Sequence, residues 1–148
     1  MGNSILLAVN DSMSSRAAVD YVAGLAFCPE DLEITLIHVF RKHSASEELM
    51  GKKFIEEMPS RLMAVLEKAR DKLIENGFNK DNIKIILTSD PYPTVAEGII
   101  DQFRKGDFDM VVIGRKKMSK AEEFVLGDVS VKLVRALEGA AVLVVKSP

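Results

Sequence analysis

Apolar residues gather into five short runs along the chain, separated by stretches in which they recur at helical spacing. The runs are "SILLAV" (4–9), "LEITLIHVF" (32–40), "NIKIILT" (82–88), "DMVVIG" (109–114) and "AAVLVVK" (140–146). Most are continuous rather than alternating, which is how strands buried on both faces read in a parallel sheet covered by helices. Ala17, Ala18, Tyr21, Val22 and Leu25 predict the first helix, with Asp11 or Ser12 at its capping position. Leu62, Leu66, Ala69 and Leu73 predict the second, closed by Gly77 where a helix end favours a left-handed residue. Pro91 and Pro93 open the third, whose stripe is Val95, Ile99, Ile100 and Phe103, with Gly106 after it. Val129, Leu133 and Leu137 form the last stripe, before Gly139. This β-α-β-α-β-α-β-α-β order predicts one α/β domain over residues 1–148, a doubly wound five-stranded parallel sheet with helices on both faces. Residues 41–60, "RKHSASEELMGKKFIEEMPS", break the rhythm with charge, Gly51 and Pro59. They read as a solvated loop with a short helix, or as an extension of the second helix kinked at Pro59; a lid or partner surface is the alternative.

Composition narrows the function classes. A chain of 148 residues suffices for one sizeable core. Lys plus Arg is 20 and Asp plus Glu is 22, a net charge of −2, so there is no global basic footprint and general nucleic-acid binding is not expected. The apolar runs are far too short to span a bilayer. "ILLAV" passes directly into "NDS" with no basic stretch before it, unlike a secretory leader. In "MGNSIL" the Ser/Thr that myristoylation requires would fall at Leu6. Cys28 is the one cysteine, which excludes an internal disulfide, suits a reducing compartment and points to the cytoplasm. It reads as a packed thiol at a helix end. His38 closes an apolar strand and reads as a packed histidine, His43 as a solvated one. Two histidines and one cysteine, far apart, offer no metal-ligand cluster, and no Gly-x-Ser-x-Gly elbow is present. The acids of "DQFRKGDFD" flank a helix end and a strand start, and no residue is assigned a catalytic role.

In open α/β sheets, ligands bind outside the carboxyl ends of strands, where the strand order reverses. The loops to examine follow runs one, two and four: "VNDS" (Val9, Asn10, Asp11, Ser12), "HVFRKH" with Val39, and "IGRKKMSKAEEFVLGDVS" (113–130). The last has Gly114 and Gly127 thirteen positions apart, with Arg115, Lys116, Lys117 and Lys120 between them. Glycines let a backbone approach phosphate closely, and a helix N-terminus favours negative charge. The plain alternative is a solvated loop whose charge Glu122 and Glu123 partly offset.

"ILLAVNDSMSSRAAVDYV", "LIHVF" and "DMVVIGRKKMSKAEEFVLGDVSVKLVRALEGAAVLVVK" resemble the universal stress protein family, from Ile5 to Lys146. The resemblance implies strand order 3-2-1-4-5, a homodimer through the last strand (Ala141 to Val145), and a cytoplasmic regulatory or interaction role in stress response with an unidentified protein partner. In nucleotide-binding members the loop after strand 4 reads G-x2-G-x9-G-(S/T). Here Gly114 fills its first position, Lys117 replaces its second glycine, Gly127 fills the third and Asp128 replaces the Ser or Thr. Asn10 stands where those members usually carry an Asp. Carried over by position, the implied contacts to ATP or AMP are Val9, Asn10, Asp11, Ser12, Val39, Gly114, Arg115, Lys117, Gly127, Asp128, Val129 and Ser130.

The two loop substitutions act in opposite senses. Lys117 offers a point charge but lacks the left-handed freedom of glycine. Asp128 is placed to cap the last helix, accepting an N–H that a phosphate would use. At about 4 Å and an effective dielectric of about 20, its charge would repel a phosphate by about 4 kcal/mol. Micromolar binding is worth about 8 kcal/mol in total. A Mg²⁺ held by Asp128 would reverse the argument. The expectation is weak or absent ATP binding, with Asp128 standing in for phosphate beside Lys117 or Arg115. The alternative is an ATP-binding switch or slow ATPase of the same family. The doubly wound fold alone also allows a flavin-type carrier.

Overall fold

In the computed structural model, the structure describes residues 4–10, 12–25, 29–40, 49–88, 91–116, 119–121 and 129–147. The five apolar runs become strands β1 (Ser4–Ala8), β2 (Glu33–His38), β3 (Ile83–Leu87), β4 (Met110–Arg115) and β5 (Ala141–Lys146). Every pairing is parallel, and the order is β3-β2-β1-β4-β5, the order that the family resemblance implies. Leu7 of β1 lies opposite Leu36 on one side and Val112 on the other, so the middle of the sheet is Leu and Val in register.

Helices occupy both faces. Side chains of β1 alternate: Ile5 and Leu7 join one core cluster, Leu6 the other. On the first face lie α1 (Met13–Ala23) and α2 (Lys52–Glu75), contributing Ala18, Val19, Val22, Leu66, Ala69 and Leu73. On the second lie α3 (Val95–Lys105) and α4 (Val129–Ala136), contributing Ile99, Phe103 and Leu133. The central strands β1, β2 and β4 are buried through their middles, whereas β3 and β5 are half-buried because each has a neighbour on one side only.

Local chemistry sets the helix ends. Ser12 caps α1, its Oγ accepting from the Ser15 N–H, and Thr94 caps α3 through the Glu97 N–H. Helix α3 therefore starts at Val95, and Pro91 and Pro93 lie in the approach to it rather than in its first turn. Gly77 follows α2 at φ 96°, the left-handed conformation that its position predicts. Helix α2 runs continuously through Pro59, so residues 52–60 extend the second helix; residues 41–48 lie outside the described residues. Pro59 is exposed, and its ring leaves the Ile55 carbonyl without the usual helical N–H partner. The buried stripe of α1 is Ser15, Ala18, Val19, Val22 and Ala23. Tyr21, an expected member of that stripe, is 50% exposed.

Candidate functional site

The reversal of strand order falls between β1 and β4, and the carboxyl ends of β1, β2 and β4 meet there. Val9 continues the ladder past β1, its N–H donating to the Ile37 carbonyl at 2.8 Å. The chain then turns sharply onto the first turn of α1. The Asn10 N–H donates to Ser15 Oγ at 2.9 Å, and the Ser15 N–H donates to Ser12 Oγ at 3.1 Å. Ser12 and Ser14 hydroxyls are 3.2 Å apart. Three serines thus tie the end of β1 to the start of α1.

Gly114 makes that arrangement possible. A side-chain carbon on Gly114 would fall on the Ser14 carbonyl and 2.9 Å from the Ser15 nitrogen. The glycine lets β4 lie directly against the α1 backbone, which no side chain would allow. The neighbouring residue Arg115 ends β4 and stands in register with Lys146 of β5.

His38 closes the other side. Its Nδ1 lies 3.0 Å from the Val9 carbonyl. A carbonyl only accepts, so Nδ1 carries the hydrogen. Val39 follows, buried against α3, where Gly98 leaves no room for a side chain beside Val39 and the Tyr92 ring. Tyr92 is braced three ways. Its N–H donates to the Phe40 carbonyl at 2.8 Å, its hydroxyl donates to Asp101 at 2.6 Å, and Gln102 Nε2 donates to that hydroxyl at 2.9 Å. Lys105 completes the group, 2.9 Å from Asp101. The Lys105 ammonium first and the Tyr92 hydroxyl second hold the Asp101 carboxyl below its ordinary pKa. The same hydrogen bond raises Lys105.

These elements enclose a cavity of about 120 Å³. Of the sequence-derived candidates, Val9, Asn10, Ser12, Val39, Gly114 and Val129 come together around it. Ser130 is buried in the first turn of α4, and neither it nor Arg115 lines the cavity. Asp11, Lys117, Gly127 and Asp128 lie outside the described residues, as do Cys28 and His43. His38 and Ser15 also line the cavity, and the apolar pattern pointed to neither as a site residue. The available signals were the place of His38 at the carboxyl end of a strand beside β1, and the Ser12-x-x-Ser15 spacing at a helix start. Among the described residues no three His, Cys, Asp or Glu side chains are grouped to hold a metal ion.

Comparison with known proteins places this geometry. The universal stress protein family matches residues 1–146. Universal stress protein YxiE of Bacillus subtilis (strain 168) is 28% identical over 156 residues, covering 99% of this chain and 100% of that protein. A universal stress protein family protein from Arabidopsis thaliana, solved with AMP bound, superposes with a TM-score of 0.68 at 20% identity, over 98% of this chain and 92% of that one. A universal stress protein solved in complex with cAMP gives 0.65 at 16% identity, over 96% and 94%. At these identities the two structures establish a common fold.

Gly114→Ala is expected to destabilise the protein by about 1–3 kcal/mol, because the added carbon meets backbone that cannot rotate away. Urea unfolding measures it, and an unchanged midpoint would refute the close approach. Asp101 offers a second test. A depressed folded pKa contributes stability above the ordinary carboxylate value and loses it as pH falls through the folded one. Tyr92→Phe is expected to move the Asp101 carboxyl upward, and Lys105→Met to move it further, since the lysine is the larger cause. Carboxyl-carbon NMR titrations read both shifts.

Proposed function

The chain belongs to the universal stress protein family, and on that premise we propose that it is a cytoplasmic, dimeric regulatory or interaction module of stress response that binds ATP weakly or not at all. The carrying observation is the state of the crevice at the strand ends. Its volume of about 120 Å³ is well below the about 300–1,000 Å³ usual for small-molecule sites. The Asn10 N–H and the Ser12 and Ser15 hydroxyls on its wall are already engaged with one another. The sequence adds to this reading: Lys117 and Asp128 stand at positions where nucleotide-binding members carry a glycine and a Ser or Thr. A carboxylate at a helix start takes N–H groups that a phosphate would need and repels it as well.

A second reading, an adenine-nucleotide switch or slow ATPase, is favoured by the relatives solved with AMP and with cAMP. In that reading Val9, Asn10, Ser12, Val39, Gly114 and Val129 surround the nucleoside, and Arg115, Lys117 and Ser130 attend its phosphates.

The dimer rests on β5, whose outer edge has no neighbour in the sheet among the described residues and whose residues Val142 to Val145 are only half-buried. An apolar, unpaired edge strand is a template for another strand unless it is covered. The unidentified protein partner of this reading would meet the assembled module. Among the described residues no helix is long and apolar enough to cross a membrane.

Calorimetric titration with ATP and Mg²⁺ tests the nucleotide reading. The Lys117→Gly, Asp128→Ser variant is expected to bind at least tenfold more tightly than the wild type. Equal, tight binding by both, or nucleotide released from the purified protein and seen by mass spectrometry, would favour the switch instead. Light scattering is expected to give twice the chain mass, and a monomer at high concentration would refute assembly through β5.

A further inference from the structure

On the sheet face opposite the crevice, α1 and α2 bound a second and larger cavity of about 420 Å³. Among the described residues it shares Val9 and Asn10 with the first. Its volume falls within the usual range for small-molecule sites. Its floor is apolar: Val9, Val19 and Ala69 are buried, and Val65 is half-buried. Ala64 and Ala69 line it from α2, and their short side chains leave the trough unfilled.

Its rim carries a net positive charge, three basic residues and one acid. Arg16 and Asp20 stand four residues apart on the α1 wall and carry opposite charges. Lys68 and Lys72 stand one turn apart on the α2 wall, and neither forms a salt bridge with a described residue. Like charges at this spacing destabilise a helix, and an anion between them would remove that cost. We propose that this groove binds an amphipathic organic acid, with its apolar body on Val19, Val65 and Ala69 and its anionic head between Lys68 and Lys72.

Other occupants fit less well. A nucleotide would place a polar sugar and several charges against a floor of Val and Ala. A purely apolar guest would leave the lysine pair uncompensated. A simpler arrangement, in which lysine stems cover apolar surface while their heads stay in water, predicts no preference for an acid.

Methyl NMR with octanoate and octanol separates these cases. Octanoate is expected to shift the Val19, Val65 and Ala69 methyls saturably, and octanol to require at least tenfold higher concentration. Lys68→Glu with Lys72→Glu is expected to weaken octanoate at least tenfold and leave octanol unchanged. Should that variant not fold by circular dichroism, Lys68→Met with Lys72→Met serves in its place. Three results would overturn the proposal: no saturable shift, equal affinity for acid and alcohol, or shifts confined to Val39 and Ile99 in the crevice. The nucleotide reading is untouched by any of these, since it is measured at the other face.

Discussion

Gly114 lies against the backbone of Ser14, with no space between them for a side-chain carbon. The parallel sheet requires that contact. Strand β4 pairs with β1 on one side and β5 on the other, while α1 packs over β4 and β5. With only backbone between β4 and α1, the first turn of α1 sits low over the strand ends, and Ser15 is brought within hydrogen-bonding reach of Asn10. The turn after β1, the α1 cap and the size of the crevice all follow from how closely those two backbones approach.

The opposite wall is held by polar groups rather than by a missing side chain. Tyr92 ties the approach of α3 to the residue after Val39 and bonds Asp101 and Gln102 on that helix, where Lys105 in turn pairs with Asp101. This fixes Val39 against Gly98, and His38 against the Val9 carbonyl. Rigid walls on both sides leave a small crevice with few polar groups facing outward. The α1–α2 groove on the other face has the complementary character, an apolar floor under basic side chains.

A doubly wound sheet hosts many functions, so the fold by itself assigns none. The family membership narrows the choice, and the chain's own departures from the nucleotide loop narrow it again. Along the sequence Gly114 and Gly127 keep the spacing of the loop pattern, and Lys117 and Asp128 change its charge.

The strands, their order along the chain and most helix ends were legible from the sequence. Burial on both faces forces continuous apolar runs, and caps such as Ser12 and Thr94 or a left-handed Gly77 act within one turn. The spatial order β3-β2-β1-β4-β5 followed from likeness to a family rather than from periodicity, because the period of a run carries no record of its neighbours. Tyr21 was misplaced on the buried stripe because helical spacing tolerates a shift of one position and the Tyr ring is amphipathic. Gly114 was visible as a glycine, but the backbone it makes room for belongs to residues a hundred positions earlier. The same limit hid His38 and Ser15 as cavity walls, and it hid the groove formed by Arg16 with Lys68 and Lys72. Short-range stereochemistry and the alternation of buried faces are written in the local sequence. Which distant side chains share a cavity is decided only when the sheet closes and the helices dock, since that juxtaposition depends on packing across the whole chain.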